Sequence, residues 1–267
     1  MKRMTIPAAD LLKRVRAQKP LIHHITNWVT IYDCANVVKV FGASPVMAHA
    51  PEEAGQMAGI ASALVLNIGT LTTALIQAMK IAAKAANKKG IPVVLDVCGA
   101  GATALRDTSC FELLGECRID IIKGNVSEIA RVGGESVTTK GVDASNVSAD
   151  LAAIARKLAV SRSCAVVVTG AEDIVTDGKK TFMVRNGHAL MGHVVGTGCM
   201  AASVIGTFAA VEKDPVLAAA SGLVCFEVAA ELAAKTGHGP ASFKEELFDH
   251  IYSLDASSLK RLQKVYA

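Results

Sequence analysis

Along most of the chain, short continuous apolar runs alternate with longer stretches in which apolar positions recur at helical spacing. "PLIHHIT" (20–26), "SPVMAH" (44–49), "ALVLNIG" (63–69), "IPVVLDV" (91–97), "IDIIKG" (119–124) and "CAVVVTG" (164–170) read as strands. Between them, "TIYDCANVVKVFG" (30–42) reads as a helix closed by Gly42, and "PEEAGQMAGIA" (51–61) as one opened by Pro51 and two acids. "TTALIQAMKIAAKAANKKG" (72–90) ends in lysines and Gly90, a further helix starts at Asn125, and "SADLAAIARKLAVSR" (148–162) is another. Strands that are apolar throughout are buried on both faces, so the pattern predicts a mostly parallel sheet with helices on both sides. The rhythm changes at "DIVTDGKKTFMV" (173–184), where Asp177-Gly178 separates two alternating runs. That is a hairpin, and it adds an antiparallel margin. From Gly198 onward the chain reads as almost wholly helical. With no internal repeat or linker in view, the expectation is a single α/β domain over residues 1–267.

Composition narrows the function classes. The 267 residues are 51% hydrophobic and 19% charged, enough for a large core. Aromatic residues are only 4%, so small and branched side chains fill that core. The net charge of +4 is dispersed. Lys2, Arg3, Lys13, Arg14, Arg16 and Lys19 share their stretch with "AADLL", which reads as the solvated face of a first helix, and no nucleic-acid partner is expected. The seven cysteines form no CxxC pair, and the opening residues carry no secretory pattern, which points to a reducing cytoplasm. Two uncharged stretches, Ala54–Met79 and Ala189–Val211, have membrane-spanning length. Each is interrupted, by "NIGT" and by "GHVVGTG", and reads as strand, turn and helix rather than as a span.

In open sheets of this kind ligands gather beyond the carboxyl ends of the strands. The search therefore falls just past "LNIG", "VLDV", "IIKG", "VVTG" and "HVVG". "GTGC" (196–199) puts glycines and Cys199 at a helix start, where backbone N–H groups can cradle an anion and lower a thiol's pKa; read alone it is also an ordinary turn into a helix. "KGNVSEI" (123–129) places Asn125 three residues before Glu128. That is the spacing of a capping box, and it also sets a carboxylate where a magnesium-bound phosphate would lie. "LDVCGAGAT" ends a strand in Asp96, which starts a turn or faces a metal. His23 and His24 are adjacent on a strand and point to opposite faces, so they share no metal. Asn27 and Met47 suit the lining of a small, partly apolar ligand.

Taken in order, these blocks resemble the hydroxyethylthiazole kinases of the ribokinase-like superfamily. "HHITNWVT", "GASPVMAHAPEE", "LVLNIGTL", "GAGAT", "IIKGNVSEI", "KGVD", "VVVTGAEDIVTDG" and "HVVGTGCM" carry the resemblance across residues 20–200, with "GPASFKEELFDHIYSL" near the end. The resemblance implies a three-layer ribokinase-like fold. It also implies transfer of the ATP γ-phosphoryl group to the alcohol of 4-methyl-5-(2-hydroxyethyl)thiazole, a salvage step towards thiamine. By the same resemblance Cys199 is the catalytic residue, Met47, Gly196 and Asn27 contact the thiazole, Lys123 and Thr169 contact ATP, and Asp96 and Glu128 help hold Mg2+. It further implies a homotrimer with thiazole sites between subunits. Two positions depart from the family's usual pattern. Val97 and Cys98 stand where proline and valine are usual, and Lys123 where arginine is often found.

Other readings of the residues remain open at this point. They are a related kinase acting on another vitamin, pyrimidine or sugar alcohol, a cysteine-nucleophile enzyme with His193 as base, and a ligand-binding domain without catalysis.

Overall fold

The computed structural model describes residues 2–134 and 151–267. The block "KGVD" and the first three residues of the helix expected from Ser148 lie outside them. The chain begins with β1 (Arg3–Met4), α1 (Ala8–Gln18), β2 (Leu21–Ile25), α2 (Ile31–Val40), β3 (Ser44–Val46) and α3 (Pro51–Ile60). It continues with β4 (Ala63–Asn67), α4 (Thr73–Lys89), β5 (Val93–Asp96), α5 (Ala104–Glu116), β6 (Ile121–Asn125) and α6 (Val126–Val132). After α7 (Leu151–Arg162) come β7 (Ala165–Thr169) and the hairpin β8 (Asp173–Thr176) and β9 (Thr181–Val184). A 3-10 helix (Ala189–His193) leads into α8 (Thr197–Ala209), α9 (Pro215–Thr236), α10 (Pro240–Ser253), α11 (Ala256–Leu262) and β10 (Val265–Tyr266).

Among the described residues, the strands join one sheet in the order β1-β10-β9-β8-β7-β6-β5-β4-β2-β3. The segment from β7 through β6, β5, β4 and β2 to β3 is parallel, and β8, β9, β10 and β1 add the antiparallel margin. Side chains alternate between the two faces of each strand. Val65, Val94, Ile121 and Val167 pack with α1, α2, α8, α9 and α10, whereas Leu64, Leu66, Leu95, Ile122 and Val168 pack with α3, α4, α5 and α7. Two apolar layers on a buried sheet make the three-layer architecture that the continuous apolar strands imply. α9 is long and apolar enough to cross a membrane by composition, and most of it is buried within the protein.

Two local features differ from the sequence reading. "HVVG" is not a strand. Val195 is largely exposed, and Thr197 donates its hydroxyl to the carbonyls of Met191 and Val194, tying this segment as a 3-10 turn onto the start of α8. α5 lies in a stretch whose Thr, Ser, Asp and Cys content gives weak helix propensity. It forms because Thr103 caps it and Cys110, Leu113 and Leu114 bury one face.

A candidate active site at the carboxyl ends of the parallel strands

Sheet register brings three polar side chains into one row. Asn67 at the end of β4 pairs with Asp96 at the end of β5, and Asp96 pairs with Lys123 on β6. All three are almost fully buried. The Asn67 amide donates to Asp96 at 2.8 Å, and the Lys123 ammonium lies 3.4 Å from both Asp96 oxygens. Burial raises the Asp96 pKa, and Lys123 only partly offsets it. Burial also opposes the Lys123 charge, but Asp96 and Glu128 outweigh it and hold the ammonium protonated.

Cys199 meets this row from the first turn of α8. Asn27 donates to its sulfur at 3.3 Å and Asn67 at 3.4 Å. Asn27 is itself fixed, because its carbonyl accepts from the Thr30 amide and hydroxyl while its amide also donates to Asn67 at 3.0 Å. The neighbouring Cys98 thiol, with help from Lys123, Thr30 and Asn27, overcomes burial and lowers the Cys199 pKa to about 5. The sulfur is thus a thiolate at neutral pH. Gly196 caps α8 with φ +94°, and a Cβ there would stand 2.5 Å from the Thr30 methyl. The turn needs glycine for both reasons. The first N–H groups of α8 have no partner within the helix and converge beside Cys199. Gly198 opens that end towards Lys123, whose ammonium lies 3.3 Å from where a Cβ would sit.

Glu128 completes the capping box. It accepts from the Asn125 amide at 2.7 Å, and Asn125 accepts from the Glu128 amide. Its second oxygen accepts from the Gly99 amide at 2.7 Å, so one buried carboxylate pins the glycine turn after β5 to the start of α6. Burial raises its pKa despite Lys123. Asp96 and Glu128 are two buried carboxyl groups, the oxygen chemistry that a hard divalent cation takes. Both are already engaged, Glu128 by the Gly99 and Asn125 amides and Asp96 by Asn67 and Lys123.

Thr169, half-buried at the end of β7, lines a cavity of about 640 Å³ together with Asn125, Thr197, Gly198, Phe226 and Glu227. A larger cavity of about 850 Å³ opens at the opposite ends of the strands, around Ser62, Gly90, Asp120 and Cys164, and contains none of the site residues. Met47 stands apart from the hydrogen-bonded network, half-buried in the loop between β3 and α3. Its carbonyl accepts from His49, whose ring lies 4.8 Å from that of Trp28, next to Asn27. His23 and His24 make separate backbone bonds, to Ala48 and Ile22. Burial lowers the pKa of both. His193 is exposed, and the groups hydrogen-bonded to the Cys199 sulfur are the Asn27 and Asn67 amides. This removes the structural basis for a Cys199–His193 nucleophilic pair. Sequence reasoning missed Asn67 and Thr30. Asn67 carries the same mark as Asp96, a polar residue ending an apolar strand.

Comparison with known proteins gives the family. The family model described as the hydroxyethylthiazole kinase family matches residues 12–257. The chain belongs to the hydroxyethylthiazole kinase family. It is 57% identical over 254 residues to a hydroxyethylthiazole kinase of Methanosarcina mazei, spanning 95% of this chain and 97% of that protein. It is 55% identical to that of Methanosarcina acetivorans, spanning 94% and 97%. A solved hydroxyethylthiazole kinase structure from Pyrococcus horikoshii superposes with a TM-score of 0.89 at 40% identity, covering 97% of this chain and 98% of that one. A ribokinase-like superfamily protein from Enterococcus faecalis matches at TM-score 0.64 and 13% identity, over 96% and 99%. At that identity it speaks for the fold alone. The architecture is ribokinase-like.

Proposed function

We propose that this protein transfers the γ-phosphoryl group of ATP to the primary alcohol of 4-methyl-5-(2-hydroxyethyl)thiazole, a salvage step towards thiamine. One observation carries the reading. The Cys199 sulfur, fixed by two buried amides, stands at the first turn of α8 beside the Asp96–Lys123 row. Phosphoryl transfer depends mainly on positioning and on neutralising charge on the equatorial oxygens. The N–H groups of Gly198 and Cys199 serve that charge on one side and the Lys123 ammonium on the other. Cys199 accepts the proton of the attacking alcohol. Lys123 keeps the charge of the more usual arginine without its bidentate fork, so it acts as a point charge on the phosphates.

ATP occupies the cavity lined by Thr169, Asn125 and Gly198, with its terminal phosphate towards Cys199. Asp96 and Glu128 would hold Mg2+, which would supply charge neutralisation at the phosphates. Asn27, Gly196 and Met47 contact the thiazole. Trp28, Val29 and Tyr32 leave a large apolar surface exposed beside Asn27. That surface supports a homotrimer in which a neighbouring subunit closes the thiazole site. All seven cysteines are free, which suits a cytoplasmic location.

The test is an ADP-release assay with the thiazole alcohol, with and without magnesium, beside a panel of other small alcohols. Release that depends on the thiazole alcohol and magnesium is the expected result. Faster turnover of a pyrimidine or sugar alcohol would reassign the substrate, and no ATP consumption with any alcohol would refute the kinase reading.

A further inference from the structure

The cavity of about 640 Å³ holds one acid that phosphoryl transfer leaves without a role. Glu227 lies on α9, is only 5% exposed and lines this cavity. Its Oε2 is buried with no hydrogen-bond partner. A buried polar atom left unsatisfied costs free energy, so it marks a place where a ligand can supply the missing contact. Gly187, at φ +103°, turns the chain after β9 and lines the same cavity. A Cβ there would stand 3.8 Å from Glu227 Cδ, so the glycine leaves the space beside the carboxyl open. Asp173 lines the cavity as well, but its carboxylate already accepts from the Gly170 amide at 2.9 Å.

The cavity lining is divided in character. Thr197 and Gly198 bring the start of α8 to it, with the Lys123 ammonium beside Gly198, and phosphates are drawn there. Leu223 and Phe226 give apolar surface of the kind a flat base covers, and Glu227 follows Phe226. The Arg185 guanidinium also lines the cavity, but it is paired with Glu172 at 2.9 Å and lies over the Tyr266 ring. Burial raises the Glu227 pKa well above the ordinary carboxyl value, and Asp173 and Glu231 add to the effect. A protonated carboxyl offers one O–H donor and one carbonyl acceptor. The amides of Asn and Gln use the same pair to grip N6 and N7 of adenine. We propose that Glu227 reads the adenine of ATP, its carboxyl accepting from the 6-amino group and donating to N7. A 6-oxo purine presents two acceptors at that edge, so one of the two bonds is lost. This assignment rests on the proposed kinase reading, which seats ATP in this cavity.

The test is the binding of ADP and IDP to the full chain with magnesium, measured by titration calorimetry. The two nucleotides share ribose and diphosphate but carry a 6-amino and a 6-oxo purine. The wild type is expected to bind ADP about tenfold or more tightly than IDP, the size of a well-made two-bond contact to a base. Glu227→Gln keeps one donor and one acceptor and is expected to hold that preference. Glu227→Leu keeps neither and is expected to bind the two nucleotides equally. Taking the ratio within each variant removes any general effect on folding or on phosphate binding. A preference that survives in Glu227→Leu, or a wild type that binds both nucleotides equally, would overturn the assignment and leave the kinase reading standing. Binding of neither nucleotide to the wild type would refute the kinase reading, and the assignment with it.

Discussion

At the residue scale, the chemistry centres on one sulfur and the donors around it. Cys199 sits on two amides, Asn67 at the end of β4 and Asn27 just past β2, and the neighbouring Cys98 thiol is the largest influence lowering its pKa. Removing the sulfur in Cys199→Ala should lower kcat by about 10²-fold or more while leaving the KM for ATP nearly unchanged, since general-base assistance has that size. Cys199→Asp keeps an acceptor at the same position and should retain turnover; both outcomes are read from steady-state kinetics. A pKa lowered to about 5 makes the thiolate the major form above that pH. The acid limb of kcat/KM should therefore lie near pH 5, with activity falling as pH drops through it. Losing the Cys98 thiol in Cys98→Val should move that limb upward, and a pH–rate profile measures the move. Asp96 was legible as an acid ending an apolar strand and Cys199 as a thiol at a glycine turn into a helix, whereas Lys123 was marked only by the family resemblance. The role of Asn67 was not, because a lone amide at a strand end looks the same whether it begins a turn or faces a neighbour. Only the pairing of β4 with β5 supplies that neighbour.

At the element scale, two short segments hold the geometry. Glu128 is the hinge between the turn after β5 and the start of α6. In Glu128→Ala the Gly99 and Asn125 amides lose their partner, and an unsatisfied buried donor costs about 1–3 kcal/mol. Urea denaturation should show a loss of about 2 kcal/mol or more. Glu128→Gln, which retains an acceptor, should lose less stability and more activity. Such a split would separate the cap from the magnesium role. The sequence spacing alone favoured the cap, and the cap is present. The start of α8 was legible as a glycine turn into a helix, but the segment before it was not. Two valines between glycines look like a strand until the Thr197 hydroxyl is seen bonding back to Met191.

At the scale of the whole molecule, the alternation of apolar runs and helices specified layers and parallel strands, because burial on both faces leaves no polar face to mark. It did not specify the order of the strands. β2 lies between β3 and β4, and β10 joins β1 to β9 across nearly the full chain. Such long-range pairings depend on contacts that a local pattern does not carry. The two-residue β1 and β10 leave no periodic signal of their own. The exposed Trp28, Val29 and Tyr32 at the entry to α2 belong to this scale too. In the proposed homotrimer, Tyr32→Glu should lower the mass measured by light scattering towards that of a monomer and raise the KM for the thiazole alcohol more than that for ATP. An unchanged mass would place the subunit contact elsewhere.

The most direct measurement is a crystal structure of the ternary complex with the thiazole alcohol and a non-hydrolysable ATP analogue. The account predicts the alcohol oxygen within hydrogen-bond reach of the Cys199 sulfur, and the terminal phosphate on the N–H groups of Gly198 and Cys199. Reactants bound with that sulfur and the start of α8 touching neither would contradict it.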